Sequence, residues 1–154
     1  MKILLATDGS ECSQAAAQEI AARVWPEGTT IRVVSAVEVP ISIAPETWIL
    51  PEGYYGEIEA AARKQAQAAA DSATAVIKGA QDDKVVVETE LLSGIPKHAV
   101  VDEAERWGAD LVVVGSHGYS GFERFLLGSV SQSIAHHARC SVLIVRCRPA
   151  KPAS

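Results

Sequence analysis

The sequence predicts an α/β fold: a single doubly wound, five-stranded parallel sheet with helices on both faces. Short apolar runs rich in β-branched residues alternate five times with helical patterns, an order that builds parallel sheets through right-handed crossovers. The clearest run, Leu111-Val112-Val113-Val114, lacks the polar alternation of a half-wet strand, so it is buried on both faces. The stretch from Asp110 to Ser131 then reads as strand, glycine-rich loop and helix.

The first strand is Ile3-Leu4-Leu5-Ala6, ending at Thr7-Asp8-Gly9-Ser10. Residues 11–24 follow as a helix, because Ala16, Ile20 and Val24 recur at a spacing of four, and Pro26 with Gly28 closes it. Residues 29–37 form the second strand. From 39 to 55, Pro40, Pro45, Pro51 and Gly53 interrupt apolar residues such as Trp48 and Leu50. That predicts a long loop, serving as a lid, a contact surface or an insertion packed on the sheet edge. Residues 56–79 are dominated by alanine, a helix stopped by Gly79. Residues 84–92 give the third strand. Ser93-Gly94-Ile95-Pro96 turns into a helix reaching Trp107, with Pro96 where a missing N–H does no harm. The fourth strand is the run before Gly115, and the fifth spans 141–147. Residues 148–154, with two prolines, are expected to form a disordered tail, leaving one domain over 1–147.

The fourth run stops at Gly115 and opens into Ser116-His117-Gly118; nine residues later comes Gly128-Ser129-Val130-Ser131. Glycines admit positive φ and let a ligand approach main-chain N–H groups. The first N–H groups of a helix are unpaired and carry partial positive charge, so a phosphate fits there. Ser129 and Ser131 would add hydroxyl donors, while His117 could reach a ribose or phosphate oxygen. The same glycines would also serve two tight turns without a ligand, and the pattern alone leaves both readings open. No G-x-x-x-x-G-K-[ST] occurs, and Gly115, Gly118 and Gly121 do not form G-x-G-x-x-G.

At 154 residues the chain suits one domain that buries roughly two thirds of its unfolded surface. A net charge of -5 without a dense Lys/Arg run argues against nucleic acid as a partner. No apolar run nears the roughly 20 residues needed to cross a bilayer, and Met1-Lys2 leads directly into the first strand. A cytoplasmic protein with neither membrane span nor leader is therefore expected. Cys12, Cys140 and Cys147 are odd in number and form no C-x-x-C pair, so a disulfide framework is not expected. Cys12, in a helix's first turn, reads as a small buried thiol rather than a redox group. His136 and His137 point about 100° apart on a helix and, with Cys140, leave a fourth ligand missing, so no metal site is assigned. Asp8 lacks the acidic pair of a receiver-domain phospho-acceptor, since Thr7 precedes it and Gly9 follows.

The spacing G-x2-G-x9-G-S that starts at Gly115 resembles the nucleotide-binding signature of the universal stress protein family, in its ATP-binding branch. The resemblance extends to Thr7-Asp8-Gly9-Ser10, the Gly94-x-Pro96 turn, Ala109-Asp110-Leu111 and Leu126-Leu127-Gly128-Ser129-Val130-Ser131. It implies a Rossmann-like fold of the adenine nucleotide alpha hydrolase type, strand order 3-2-1-4-5, and a ligand at the carboxyl ends where that order reverses. Thr7 and Asp8 would then be wall and polar contact for the adenosine half, and Val37 an adenine-edge contact through its backbone. Val114, Gly115 and His117 would lie beside the ribose and phosphates. Gly118, Gly128, Ser129, Val130 and Ser131 would hold the phosphates of ATP, with Mg²⁺ or Mn²⁺ offsetting their charge. The long segment after Val37 departs from the pattern and could cover the adenine site.

The resemblance implies a regulatory nucleotide-binding module of the stress response with little or no hydrolysis. No carboxylate or lysine in the motif is placed to orient a water for in-line attack, so no catalytic residue is assigned. A slow ATPase or adenylate hydrolase using Asp8 or His117, or a nucleotide-free interaction protein, are the alternatives. The fifth strand leaves an apolar edge that soluble proteins cover. The family pattern implies a homodimer through Val142-Leu143-Ile144-Val145, besides a regulatory protein partner of unknown identity.

Overall fold

A computed structural model describes residues 1–39, 51–119 and 126–147. The strands are β1 (Lys2–Ala6), β2 (Thr30–Val37), β3 (Val86–Ser93), β4 (Leu111–Gly115) and β5 (Ser141–Val145). The helices are α1 (Glu11–Ala21), α2 (Tyr54–Ala80), α3 (Pro96–Trp107) and α4 (Ser129–His137). Every strand pairing is parallel, in the order β3-β2-β1-β4-β5, as the family resemblance implied. β1 is central, with Leu5 opposite Val33 on one side and Val113 on the other.

Successive strand side chains point to opposite faces, and helices cover both. Ile3 and Leu5 pack with Ile31, Val33 and Val113 against Ile20 of α1 and Ile77 of α2. Leu4 and Ala6 pack with Val34, Val112 and Val114 against Val100 of α3 and Ile134 of α4. Each fully buried leucine or isoleucine contributes about 1.5–3 kcal/mol, which is why the central runs carry no polar alternation. The stripe that α2 buries is Ala66, Ala69, Ala70, Ala73 and Ile77. Its small side chains let the helix lie close over Ala16 and Ala17. Among the described residues no helix is long and apolar enough to cross a membrane.

Several boundaries differ from the sequence reading; β3, expected over 84–92, runs Val86–Ser93. α1 ends at Ala21, and Val24 is 98% exposed. The chain is pulled off the helix axis because the Trp25 indole N–H and the Gln81 side-chain amide both donate to Ile20 O. α2 starts at Tyr54, inside the expected loop. The rest of that loop from 40 to 50 and the expected tail at 148–154 lie outside the described residues. β5 stops at Val145, two residues early.

A further difference is covalent. Cys12 and Cys147 form a disulfide, which corrects the expectation drawn from the odd cysteine count. Parity and local spacing are blind to residues 135 apart that the fold brings together: Cys12 in the first turn of α1, Cys147 just past β5. Cys140 stays a free thiol.

Candidate functional site

β1 lies between β2 and β4, so the chain leaves its carboxyl end in one direction and the neighbouring β4 exit runs in the other. That reversal opens a crevice in parallel sheets. A cavity of about 790 Å³ lies there, within the roughly 300–1,000 Å³ typical of ligand sites. Thr7, Asp8, Val114, Gly115, His117, Gly118, Gly128, Ser129, Val130 and Ser131 all line it, so two stretches distant in sequence converge.

The β1 exit is held by its own polar groups. Thr7 N–H donates to Val34 O at 2.9 Å, and Thr7 Oγ1 donates to Ser13 Oγ at 3.1 Å. Asp8 Oδ1 accepts the Ser10 N–H at 2.9 Å, and Ser10 caps α1 through Ser13 N–H. Gly9 has φ +80°, a conformation that glycine adopts without strain. The other Asp8 oxygen borders Gly118, where an added Cβ would come within 2.7 Å of it.

The β4 exit is tied across to β5 and α4. Ser116 N–H donates to Val145 O, and Gly128 N–H donates to Ser116 O, both at 2.8 Å. Ser131 Oγ is within 3.0 Å of both Ser116 O and Gly128 O. Its proton is therefore committed to the loop's carbonyls, and Ser131 braces the loop where the sequence suggested a free hydroxyl donor. The motif glycines are not among those with positive φ; close packing explains them. A Cβ on Gly115 would lie 2.6–2.8 Å from the Cys12 carbonyl and the Ser13 nitrogen, and one on Gly128 would lie 3.3 Å from His117 Cα.

The helices that border the crevice differ in how they begin. α1 has a side-chain cap and Glu11 in its first turn. α3 and α4 have neither, and both starts face the cavity. In α4 the first helical bond runs from Gln132 N–H to Gly128 O at 2.9 Å, so the amides of Ser129, Val130 and Ser131 precede the ladder and are available to an anion. Lys97, at the start of α3, adds a cation to the lining. His117 Nδ1 lies 3.0 Å from Ser116 Oγ, whereas its Nε2 is buried without a partner among the described residues. Such an orphaned atom is costly unless a ligand meets it. Among the described residues no cluster of three or more His, Cys, Asp or Glu could hold a metal.

Comparison with known proteins identifies this architecture. The family model described as "Universal stress protein family" matches residues 1–146. The chain belongs to the universal stress protein family. Universal stress protein MJ0531 of Methanocaldococcus jannaschii is 35% identical, with 94% of this chain and 81% of that relative covered. Universal stress protein Sll1388 of Synechocystis is 33% identical, covering 94% and 97%. In solved structures the fold is similar to that of hypothetical protein MJ0577, with a TM-score of 0.79 at 22% identity and 97% of each chain covered. It is also similar to a universal stress protein in complex with cAMP, at TM-score 0.59, 27% identity and 95% and 96% coverage. A third, from Arabidopsis thaliana with AMP bound, has TM-score 0.65 at 18% identity, covering 100% and 99%.

Within this universal stress protein, Val37 is the expected site residue that does not line the cavity. It is buried, and its carbonyl accepts the Gly94 N–H at 3.3 Å. Ser35, Ala36 and Glu38 of the same stretch line it. Sequence reasoning also missed Lys97 and Gln65. The Gly94-x-Pro96 turn, which starts α3, was the available signal for Lys97; Gln65 lies in an alanine-rich helix that offers none.

Proposed function

We propose that this universal stress protein is an ATP-binding regulatory module of the stress response, with little or no hydrolysis. The observation that carries the reading is the uncapped start of α4 together with a His117 Nε2 that has no partner among the described residues, in the crevice where the strand order reverses. The amides of residues 129–131 and Lys97 would meet the phosphates. Mg²⁺ or Mn²⁺ would be held chiefly through phosphate oxygens and water, as small hard cations often are. Adenine nucleotides are favoured as the ligand class because similar universal stress proteins carry cAMP or AMP. Low turnover follows from the chemistry of in-line hydrolysis, which needs a group to orient water; Asp8 Oδ1 is already engaged by the Ser10 amide. A slow ATPase or adenylate hydrolase is the second reading, favoured by the His117 Nε2 that no described residue meets.

Calorimetric titration with ATP, with and without Mg²⁺, tests the proposal on wild type, Gly118→Val and Ser129→Ala. Gly118→Val should fold, since its Cβ meets only the Asp8 carboxylate, yet it fills the crevice. Micromolar binding lost in that variant supports the nucleotide reading. Silence at millimolar ATP contradicts it and leaves a nucleotide-free interaction protein. Turnover of roughly 1 per second or faster that disappears in His117→Ala would make the protein an enzyme.

A second copy is the proposed partner of β5. β5 is the sheet edge, and Val142, Leu143, Ile144 and Val145 are only half-buried there. Light scattering at micromolar concentration should give a dimer mass; a monomer mass contradicts this.

A further inference from the structure

We propose that Cys12 and Cys147 are a reversible oxidation site, formed by peroxide and opened by a dithiol, whose state sets how firmly the carboxyl-end crevice is built. The consequence for ligand affinity rests on the nucleotide reading above.

The bond lies directly behind the binding loop. It joins the first turn of α1 to the chain leaving β5, with a Cα–Cα distance of 4.7 Å. Gly115 is pressed onto the same turn: its Cβ, if present, would sit 2.6 Å from the Cys12 carbonyl carbon. Ser116 N–H donates to Val145 O, two residues before Cys147. Ser116 Oγ lies 3.8 Å from Cys12 Sγ and 3.0 Å from His117 Nδ1. One covalent bond therefore clamps both flanks of the segment that presents His117 and Gly118 to the cavity. Without it, the end of β5 is held at this point by non-covalent contacts alone.

The chemistry balances with a hydroperoxide as the oxidant. Cys147 is partly exposed, whereas Cys12 is only 4% exposed, so Cys147 meets the peroxide. Its thiolate attacks the peroxide oxygen, the O–O bond breaks, and the departing alkoxide or hydroxide takes a proton to leave as alcohol or water. The Cys12 thiolate, in the first turn of α1 where the helix dipole favours it, attacks the sulfenic sulfur. The S–S bond forms, and hydroxide leaves as water after protonation. Two electrons pass from the thiols to the peroxide. Cys140 stands apart: it packs on the α3 and α4 face of the sheet, and burial pushes its thiol pKa up.

The test uses the full chain with Cys140→Ser, reduced with dithiothreitol and then exposed to hydrogen peroxide. Peptide mapping should show Cys12 linked to Cys147 with the loss of two hydrogens, reversed by dithiothreitol and absent in Cys147→Ser. Amide hydrogen exchange at residues 115–118 should be slower in the linked form, without any ligand. ATP should bind the linked form at least about fivefold more tightly, a typical coupling between sites, and Cys147→Ser should behave as the reduced form throughout. No linked peptide would overturn the oxidation site. Linkage with unchanged exchange at 115–118 would overturn its control of the loop. If exchange changes but neither form binds ATP, it is the nucleotide reading that fails, and the coupling of the thiol pair to the loop stands.

Discussion

The two ends of the sheet treat their polar groups in opposite ways. Toward the amino ends of the strands, Arg32 is paired with Glu88, Glu90 and Glu103 at 2.7, 3.0 and 2.6 Å. Arg106 meets Glu90 and Glu103 from the other side. The Arg32 guanidinium lies 4.4 Å from the centre of the Trp107 ring, and Lys2 Nζ donates to Trp107 O. Glu103 is 4% exposed, and a carboxylate tolerates such burial only when paired. Burial works against the Arg32 charge, but its hydrogen bonds to Glu88 and Glu103 outweigh it and hold the guanidinium pKa above its usual value. At the carboxyl ends, the starts of α3 and α4 lack side-chain caps and His117 Nε2 has no partner among the described residues. The contrast is between buried charges paired within the chain and a buried polar atom that no described residue meets, and it is the reason the proposed ligand is placed at the open end.

The largest expected effect breaks the closed end alone. Arg32→Met leaves Glu103 buried with Arg106 as its remaining cation and should lower stability by about 3 kcal/mol in chemical denaturation, while the ATP affinity stays as in wild type. Loss of binding in that variant would erase the distinction between the ends. His117→Ala acts on the open end: affinity should fall about tenfold, the worth of one good hydrogen bond to a charged group, with the denaturation midpoint nearly unmoved. Lys97→Ala should weaken binding only two- to threefold, because an exposed charge is screened, and 0.5 M salt should abolish the difference. The smallest effect concerns Cys140. Burial raises its thiol pKa, so its contribution is fully present below the usual value of 9.0 and is lost as pH rises through and beyond it. Stability measured from pH 8 to 10 should decline less in Cys140→Ala than in wild type.

The open end was the more legible of the two in the sequence. Local patterns announce it: Gly115 and Gly118 after the Leu111–Val114 run, a third glycine, Gly128, before a helix, and Thr7-Asp8 closing the first strand. The strand order that brings these together came from the family resemblance, because periodicity fixes elements but not their neighbours. The closed end is a set of pairings 56 and 71 residues apart, and no local rule couples Arg32 to Glu88 or Glu103. The same limit hid the Cys12–Cys147 bond.

The most direct measurement follows backbone amide resonances while ATP is added. The account predicts that Gly118, Ser129, Val130 and Ser131 shift most, saturating with the calorimetric affinity, and that Arg32, Glu88 and Glu103 do not move. Shifts centred on the Arg32 cluster, or an unperturbed start of α4 at saturating ATP, would contradict the claim that the open end of the sheet is the binding site.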